Sequence, residues 1–317
     1  VHTSSLPERM NGRRGFEKSA PPSAGTRWPK VCSVNPVAQV VAVMGRGVVA
    51  PQTPLMLADD LGFTRGDGCF DAVRVVVGET TRVDHLDRHL ARFARSSAAL
   101  DLVAPDAAAW RELIASALAE WAVPGEAVLK LVRTRGAEHS DGGLTELLTI
   151  TQAPDATAAR QGVIASTLNR GFASDAFHAA PWLLGGVKSL SYAVNVAAKR
   201  EAARRGVDEV IFTSSDGYLL EAPTAGLLVA ADDQLWTTPI AGTGVLESVT
   251  INVIMDSARA DGVRTHHALF RPDDLADTDG AWLVSAIRGV LPVLEVDGRS
   301  LPHDSELTRH LARTAGF

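Results

Sequence analysis

The chain has 317 residues, of which 46% are hydrophobic and 21% are charged, as is typical of a globular protein with a substantial core. The formal net charge of −6 gives no footprint for nucleic acid, and no apolar run reaches the roughly 18–20 residues that span a bilayer. Two cysteines, with no second cysteine or histidine at ligand spacing, exclude a disulfide framework and make a metal site unexpected. We therefore expect a cytoplasmic protein.

Residues 1–37 differ in composition from the rest of the chain. They hold five prolines, and six basic residues oppose only two acidic ones. No periodic apolar pattern occurs, so a disordered N-terminal arm is predicted. No apolar segment follows the basic residues, which argues against a signal peptide. A transit peptide or a binding arm stays open as an alternative.

The segment 38–154 has the pattern of a small α+β domain, and 155–161 is predicted to be a linker. In the helix predicted over 83–100, Leu86, Leu90 and Phe93 share an apolar face, and Arg88 and Arg92 lie off it. Alternating or β-rich runs and helical periodicity supply the other elements. Strands are predicted at 40–43, 47–49, 70–77, 129–134 and 147–152, and a second helix at 107–121.

The segment 162–317 has the pattern of a larger β-rich domain. An Asp-Gly turn between two apolar runs predicts a hairpin that ends at Glu221. The whole chain is thus expected to be an α/β (α+β) protein of two domains. Strands are predicted at 162–168, 209–213, 218–221, 227–230, 235–237, 282–285 and 290–296, and helices at 189–205 and 249–260.

Lys188 and Glu221 are the first candidates for chemistry. Lys188 is predicted to open a helix, where a cation opposes the helix dipole, and the dipole together with desolvation would depress its pKa. The neutral amine is the form that forms a Schiff base. Glu221 ends an apolar strand and could keep a pyridine nitrogen protonated. Taken singly, each is more often a surface charge, but together they are the minimal equipment for pyridoxal phosphate chemistry.

A phosphate cup is the third expected part of such a site. Ser248, Val249 and Thr250 stand at the start of a predicted helix, where free N–H groups bind phosphate, although Ser248 and Thr250 are also ordinary helix caps. Ser285 and Ala286, at a strand end, could add a hydroxyl and an amide. The guanidinium of Arg88 suits a dianionic phosphate, although alone it would be a solvated arginine. No dinucleotide-binding, Walker, nucleophile-elbow or zinc-protease motif competes with this interpretation.

In order and spacing, these segments resemble the class IV, fold-type IV pyridoxal-phosphate enzymes, which include branched-chain aminotransferases, D-amino-acid transaminases and 4-amino-4-deoxychorismate lyases. The resemblance covers roughly residues 39–302. Within the family, Gly-Asp-Gly-Cys-Phe and the segment 282–288 look most like actinobacterial aminodeoxychorismate lyases. The resemblance to the family depends on four segments: Arg65-Gly66-Asp67-Gly68-Cys69-Phe70-Asp71, His85-Leu86-Asp87-Arg88-His89-Leu90, Lys188-Ser189-Leu190-Ser191-Tyr192 and Asp216-Gly217-Tyr218-Leu219-Leu220-Glu221.

The resemblance implies a role for each candidate. Lys188 would be the Schiff-base lysine and proton shuttle, and Glu221 the partner of the pyridine nitrogen. Arg135 falls where the lyases carry the arginine of a Ser-Arg-Gly motif, and is a candidate for binding a substrate carboxylate. The expected cofactor is pyridoxal 5'-phosphate, held between the domains of a homodimer. The expected cofactor ligands are Arg88, Lys188, Tyr192, Glu221, Ser248, Val249, Thr250, Ser285 and Ala286.

Three positions depart from the family pattern. Asp71 stands where members usually have Glu, Gly226 where they have Asn, and Ser248 where they have the phosphate-loop Gly. The expected reaction is the lysis of 4-amino-4-deoxychorismate to 4-aminobenzoate and pyruvate, a step toward folate. The alternative is an aminotransferase acting on D- or branched-chain amino acids. The lost Asn and Gly leave a further alternative, a binding protein with a degenerate cofactor site.

Overall fold

Two β-sheets carry the fold in the computed structural model, which describes residues 38–139 and 143–317. The arm predicted at 1–37 lies outside the described residues. Residues 38–317 cluster as one compact unit. The domain bounds predicted at 154 and 162 therefore stay a prediction, although the break between the two sheets falls in the same region.

The first sheet is antiparallel, with strand order β2-β1-β6-β5-β3-β4. Phe93 and Trp110 meet edge to face at 5.3 Å between ring centroids, and they join two helices above this sheet in one core. The strands are β1 (Gln39–Val43), β2 (Gly47–Val49), β3 (Gly68–Val77), β4 (Thr81–Val83), β5 (Gly125–Thr134) and β6 (Thr145–Gln152). The helices are α1 (Leu61–Arg65), α2 (Leu86–Ala99) and α3 (Ala107–Glu120).

The second sheet has nine strands and mixed pairing. Its main order is β12-β11-β10-β13-β14-β7-β8, with β9 beside β10 and β15 beside β14. Trp282 and Ile254 belong to the core under its helices. The strands are β7 (Val163–Asn169), β8 (Glu209–Thr213), β9 (Glu221–Ala222), β10 (Ala225–Ala231), β11 (Gln234–Thr237), β12 (Thr265–His267), β13 (Gly280–Ser285), β14 (Gly289–Val296) and β15 (Arg299–Ser300). The helices are α4 (Ala193–Arg205), α5 (Val249–Ala260) and α6 (Ser305–Thr314).

The prediction of a helix from residue 189 was wrong at its start, because α4 begins at Ala193. The residues before it are extended along β3 instead. The N–H of Phe70 donates to the carbonyl of Lys188 at 3.0 Å, and the N–H of Leu190 donates to the carbonyl of Gly68 at 2.8 Å. These hydrogen bonds hold residues 188–190 in the extended conformation, with Ser189 opposite Cys69 of β3. Lys188 therefore lies at a sheet edge.

Other elements differ less from expectation. The helix predicted from 83 begins at Leu86, because 81–83 pair as β4 with β3. The hairpin predicted to end at Glu221 keeps its turn, but only Leu219 bridges to β8, and Glu221 pairs instead with β10. The helices α1 and α6 and the strands β4, β12 and β15 were not predicted. Among the described residues, no helix is long and apolar enough to cross a membrane.

Candidate active site

A pocket of about 660 Å³ opens between residues of the two sheets. The side chains of Phe70 and Lys130 line it from β3 and β5, and Ser285 lines it from the end of β13. Lys188, in the extended segment before α4, lies in the same pocket. This volume is in the range of sites for small molecules and cofactors.

Lys188 is held among aromatic rings. Its Nζ lies 4.6 Å from the ring centroid of Phe70 and 5.8 Å from that of Tyr192. Burial, reinforced by the positive charge of Arg92, lowers the pKa of Lys188 to about 8. A depressed pKa was predicted from the helix dipole acting together with desolvation. No helix begins at Lys188, so the dipole part of that prediction was wrong and desolvation is the main cause.

Glu221 is the acid of the pocket, placed at the start of β9. The N–H of Leu246 donates to its Oε2 at 3.2 Å, and Nη1 of Arg170 lies 3.6 Å from its Oε1. Burial outweighs these charge-stabilising contacts and raises the pKa of Glu221 to about 7. Sequence reasoning missed Arg170, because it stands in the loop after β7 with no periodic pattern around it.

Tyr192 lies where it was expected. Its hydroxyl donates to the carbonyl of Pro223 at 2.6 Å, and its ring meets Phe70 edge to face at 5.3 Å. Burial and the carboxylate of Glu221 raise the pKa of Tyr192 to about 12, so the phenol remains neutral. Phe70, Tyr192 and Lys188 thus lie against one another in the pocket.

The residues predicted to form the phosphate cup lie at the start of α5 and at the end of β13. Ser248 caps this helix, because its Oγ accepts from the N–H of Ile251 at 3.3 Å. By their position, the N–H groups of Val249 and Thr250 have no intrahelical partner and are open to an anion. All three residues line the pocket together with Ser285 and Ala286. Two distant segments of the chain thus meet at one end of the pocket.

The prediction that Arg88 belongs to the cofactor pocket was wrong in its placement. Its guanidinium pairs with Asp256 of α5 at 2.6 Å, its side chain is 46% exposed, and it does not line the pocket. Arg92, one turn later, is buried and does line it. At about 100° per residue, Arg92 lies about 40° closer than Arg88 to the buried face of α2. The prediction that Arg92 is off the core face was therefore also wrong.

Arg135 is likewise outside the pocket lining. Its Nε donates to Oδ2 of Asp67 at 2.7 Å, and its Nη2 donates to the carbonyl of Leu100 at 2.6 Å. Side chains alternate along β5, and Val128 and Lys130 are the members that face the pocket. Arg135 has the opposite parity and follows the strand end. Lys130, which was not predicted, is therefore the basic residue of β5 that lines the pocket.

Gly226, the departure from the usual Asn, has a steric explanation. A Cβ at this position would lie 2.8 Å from Cδ1 of Ile251 and 3.4 Å from Cβ of Ser248. Gly226 pairs in register with Glu221 across β9 and β10. The helix α5 therefore packs directly on the backbone of β10 here, and a larger side chain has no space without displacing Ile251.

These residues fit pyridoxal phosphate. The pocket offers a lysine with a depressed pKa, a buried carboxylate for a pyridine nitrogen, and an arginine with a helix N-terminus for a dianionic phosphate. The fold and the site together define the class of protein as a pyridoxal-phosphate enzyme with two sheets flanking the cofactor pocket.

The comparison with protein families agrees with this assignment. The family described as amino-transferase class IV matches residues 68–296. The chain belongs to this family, which is dependent on pyridoxal phosphate. The predictions of the family, the cofactor and the fold-type IV α/β class are therefore confirmed.

Individual relatives extend over most of the chain. It is 37% identical over 273 residues to a bifunctional aminodeoxychorismate lyase / D-amino acid transaminase of Mycobacterium tuberculosis, covering 83% of this chain and 93% of the relative. It superimposes with a TM-score of 0.82 on a fold IV-transaminase from Curtobacterium pusillum, at 37% identity over 88% of this chain and 100% of that one. The pyridoxal-phosphate-bound form of a hypothetical aminotransferase from M. tuberculosis gives 0.81 at 36% identity, covering 87% and 98%.

Proposed function

We propose that the protein converts 4-amino-4-deoxychorismate to 4-aminobenzoate and pyruvate, a step toward folate. The observation that carries the proposal is the 37% identity, over 83% of the chain, to a relative whose name includes this lyase activity. The pocket supports it because Lys188, Glu221 and the phosphate cup provide the groups that the reaction needs.

Each residue has a separate task in this proposal. Bound pyridoxal phosphate supplies an electron sink for the carbon that loses its proton. Lys188, whose pKa is about 8, takes that proton as a neutral amine and returns it to the pyruvate carbon. Glu221 holds a proton between its carboxylate and the pyridine nitrogen. Arg92 and the N–H groups of Val249 and Thr250 bind the phosphate.

The charge of the pocket favours an anionic substrate. Arg92 and Arg170 have carboxylate partners in Asp71 and Glu221. Within the described residues, no such ion pair involves Lys130 or Lys199, which also line the pocket. Aminodeoxychorismate carries two carboxylates, and the phosphate accounts for the charge of Arg92. We propose Lys130 as the cation that meets a substrate carboxylate, in place of Arg135.

Amino-group transfer by a D- or branched-chain aminotransferase is the second candidate. It is supported by the Curtobacterium transaminase and by the second activity in the name of the M. tuberculosis relative. Its first proton transfer is the same, but Lys188 would then deliver the proton to the cofactor carbon. A homodimer and a cytoplasmic location also stay proposals.

The deciding experiment is incubation of the purified holoenzyme with aminodeoxychorismate and no amino donor. We expect 4-aminobenzoate and pyruvate in equal amounts, and neither with Lys188→Ala as the control. A parallel incubation supplies a D-amino acid or a branched-chain amino acid with 2-oxoglutarate. Amino transfer there, with no 4-aminobenzoate in the first incubation, would replace the lyase by the transaminase.

A further inference from the structure

A buried polar cluster lies directly behind the pocket wall, formed by Asp71 of β3 with His89 and Arg92 of α2. Asp71 has no solvent exposure, and the side chains of His89 and Arg92 are 2% and 8% exposed. Of the three, only Arg92 also lines the pocket. The cluster includes Asp71, one of the positions at which the sequence departs from its family.

The carboxylate of Asp71 accepts two hydrogen bonds from one edge of the Arg92 guanidinium. The Nε of Arg92 donates to Oδ2 at 2.9 Å, and its Nη2 donates to Oδ1 at 2.8 Å. His89 Nδ1 lies 2.8 Å from Oδ1, which also accepts from the N–H of Ala72 at 2.8 Å. Burial opposes ionisation, but the charge of Arg92 and these hydrogen bonds outweigh it and hold the pKa of Asp71 well below its usual range.

Arg92 is also hydrogen-bonded to the loop that precedes the phosphate cup, and its Nη2 lies 3.4 Å from Nδ1 of His89. Of its five N–H groups, two are used by Asp71, and one on Nη1 donates to the carbonyl of Glu247 at 2.9 Å. Glu247 directly precedes the cap of α5, so Arg92 is tied to the loop that carries Ser248 and Thr250. The N–H groups left over lie on the Nη edge, the edge suited to paired contacts with phosphate oxygens.

We propose that Asp71 and His89 are positioning residues, which lock the rotamer of Arg92 so that its free Nη edge faces the cofactor phosphate. The proposal rests on the phosphate role given to Arg92 under the proposed function. A flexible arginine loses rotamer entropy when it binds an anion, and a guanidinium already fixed by a carboxylate loses less. Asp71 thus acts through Arg92 and touches no substrate.

A matched arginine–carboxylate pair on the same sheet provides the control. Arg74 of β3 pairs with Asp84 at 3.0 Å, with side-chain exposures of 6% and 11%, and neither residue lines the pocket. Loss of either carboxylate leaves a buried arginine short of a partner and lowers stability. Only the loss of the Asp71 carboxylate should weaken the binding of a phosphate group in the pocket.

The test measures the phosphate preference of the apoprotein, defined as the dissociation constant of pyridoxal divided by that of pyridoxal phosphate. Both aldehydes reach Lys188, but only one carries a phosphate. We expect Asp71→Asn to lower the preference by about tenfold, and Asp84→Asn to leave it unchanged. Combined with Arg92→Ala, Asp71→Asn should have no further effect, because the residue that it positions is gone.

His89→Leu keeps the test decisive if Asp71→Asn does not fold. This variant removes one hydrogen bond to Asp71 and leaves the Arg92 pair, and a loss of about threefold in preference is expected. An unchanged preference in a folded Asp71→Asn or His89→Leu protein, while Arg92→Ala lowers it, overturns the positioning role alone. An unchanged preference in Arg92→Ala overturns the phosphate role of Arg92 and the positioning role with it.

Discussion

The two sides of the cofactor pocket are built differently. The side from the second sheet presents short, contiguous segments: Glu221 at the start of β9, 248–250 at the start of α5, and 285–286 at the end of β13. The side from the first sheet is made by single side chains on longer elements: Phe70 on β3, Arg92 on α2 and Lys130 on β5. On the side from the second sheet, local backbone geometry places the polar groups of the pocket. On the side from the first sheet, packing between helices and strands places them.

The largest expected effect is at Lys188, in the segment that joins the two sides. Lys188→Ala removes the only group proposed to carry the proton, so kcat should fall by at least about 10³-fold. Steady-state assays of the reconstituted enzyme measure the loss. Lys199→Ala, which changes a second pocket-lining lysine, is the matched control and should keep most of the activity. Comparable losses in the two variants would contradict the assignment.

Glu221→Gln tests the side built from the second sheet. The amide cannot hold a proton at the pyridine nitrogen as the carboxylate does, so kcat should fall by about 10²-fold or more. Binding of the cofactor should change far less, because the phosphate contacts are intact. Cofactor titration beside the rate assay separates the two effects. A variant that loses the cofactor but not the rate per bound site would refute this role.

Arg92→Ala and Arg88→Ala compare two positions one turn apart on α2. Arg92→Ala should weaken binding of pyridoxal phosphate by about 10–100-fold, as for a lost hydrogen bond to a charged group. Arg88→Ala removes a half-exposed ion pair with Asp256 and should change binding by less than about threefold. Equilibrium titration of both apoproteins measures this. Stronger dependence on Arg88 would reverse the assignment.

The pKa of Lys188 predicts a pH dependence of cofactor capture by the apoprotein. The neutral amine is the reactive form, and its pKa is lowered from 10.5 to about 8. The capture rate should therefore rise about fivefold between pH 7 and 8 and level off above pH 9. Stopped-flow absorbance follows the reaction, with free lysine as the reference. A rate still rising steeply at pH 10 would show that burial does not depress the pKa.

Gly226→Ala should have the smallest effect and lies on the side built by contiguous segments. Its Cβ would stand 2.8 Å from Cδ1 of Ile251, so the Ile251 side chain must move from its packed position. We expect a loss of about 1–3 kcal/mol in the free energy of unfolding, measured by denaturant titration. Gly78→Ala, where an added Cβ meets nothing within 4 Å, is the control. Equal losses would exclude the steric explanation.

The contrast between the two sides also explains what the sequence could predict. Lys188, Glu221 and the residues 248–250 could be proposed from the sequence because each belongs to a short contiguous segment, and the structure places all of them in the pocket lining. Arg88 was chosen over Arg92 because helical periodicity does not distinguish well between two arginines that are one turn apart on the same helix. Arg92 is buried where it pairs with Asp71, and this partner is far away in sequence. Lys130 was missed because the facing side of β5 is set by its packing.

The beginning of α4 illustrates the same limit. Residues 189–205 have helix-forming composition, and nothing local shows that Lys188 and Leu190 hydrogen-bond to β3, more than a hundred residues earlier. This long-range pairing places Lys188 against Phe70. Lys188 lies in the pocket as part of an extended segment, and not at the helix start that was predicted for it.

The most direct test of the account is to locate the lysine that binds the cofactor covalently. The holoenzyme is treated with borohydride, digested and analysed by mass spectrometry. We predict that the cofactor mass is attached to the peptide containing Lys188, and that it is absent from this peptide in Lys188→Ala. Attachment to Lys130 or Lys199, the other lysines that line the pocket, would contradict the account.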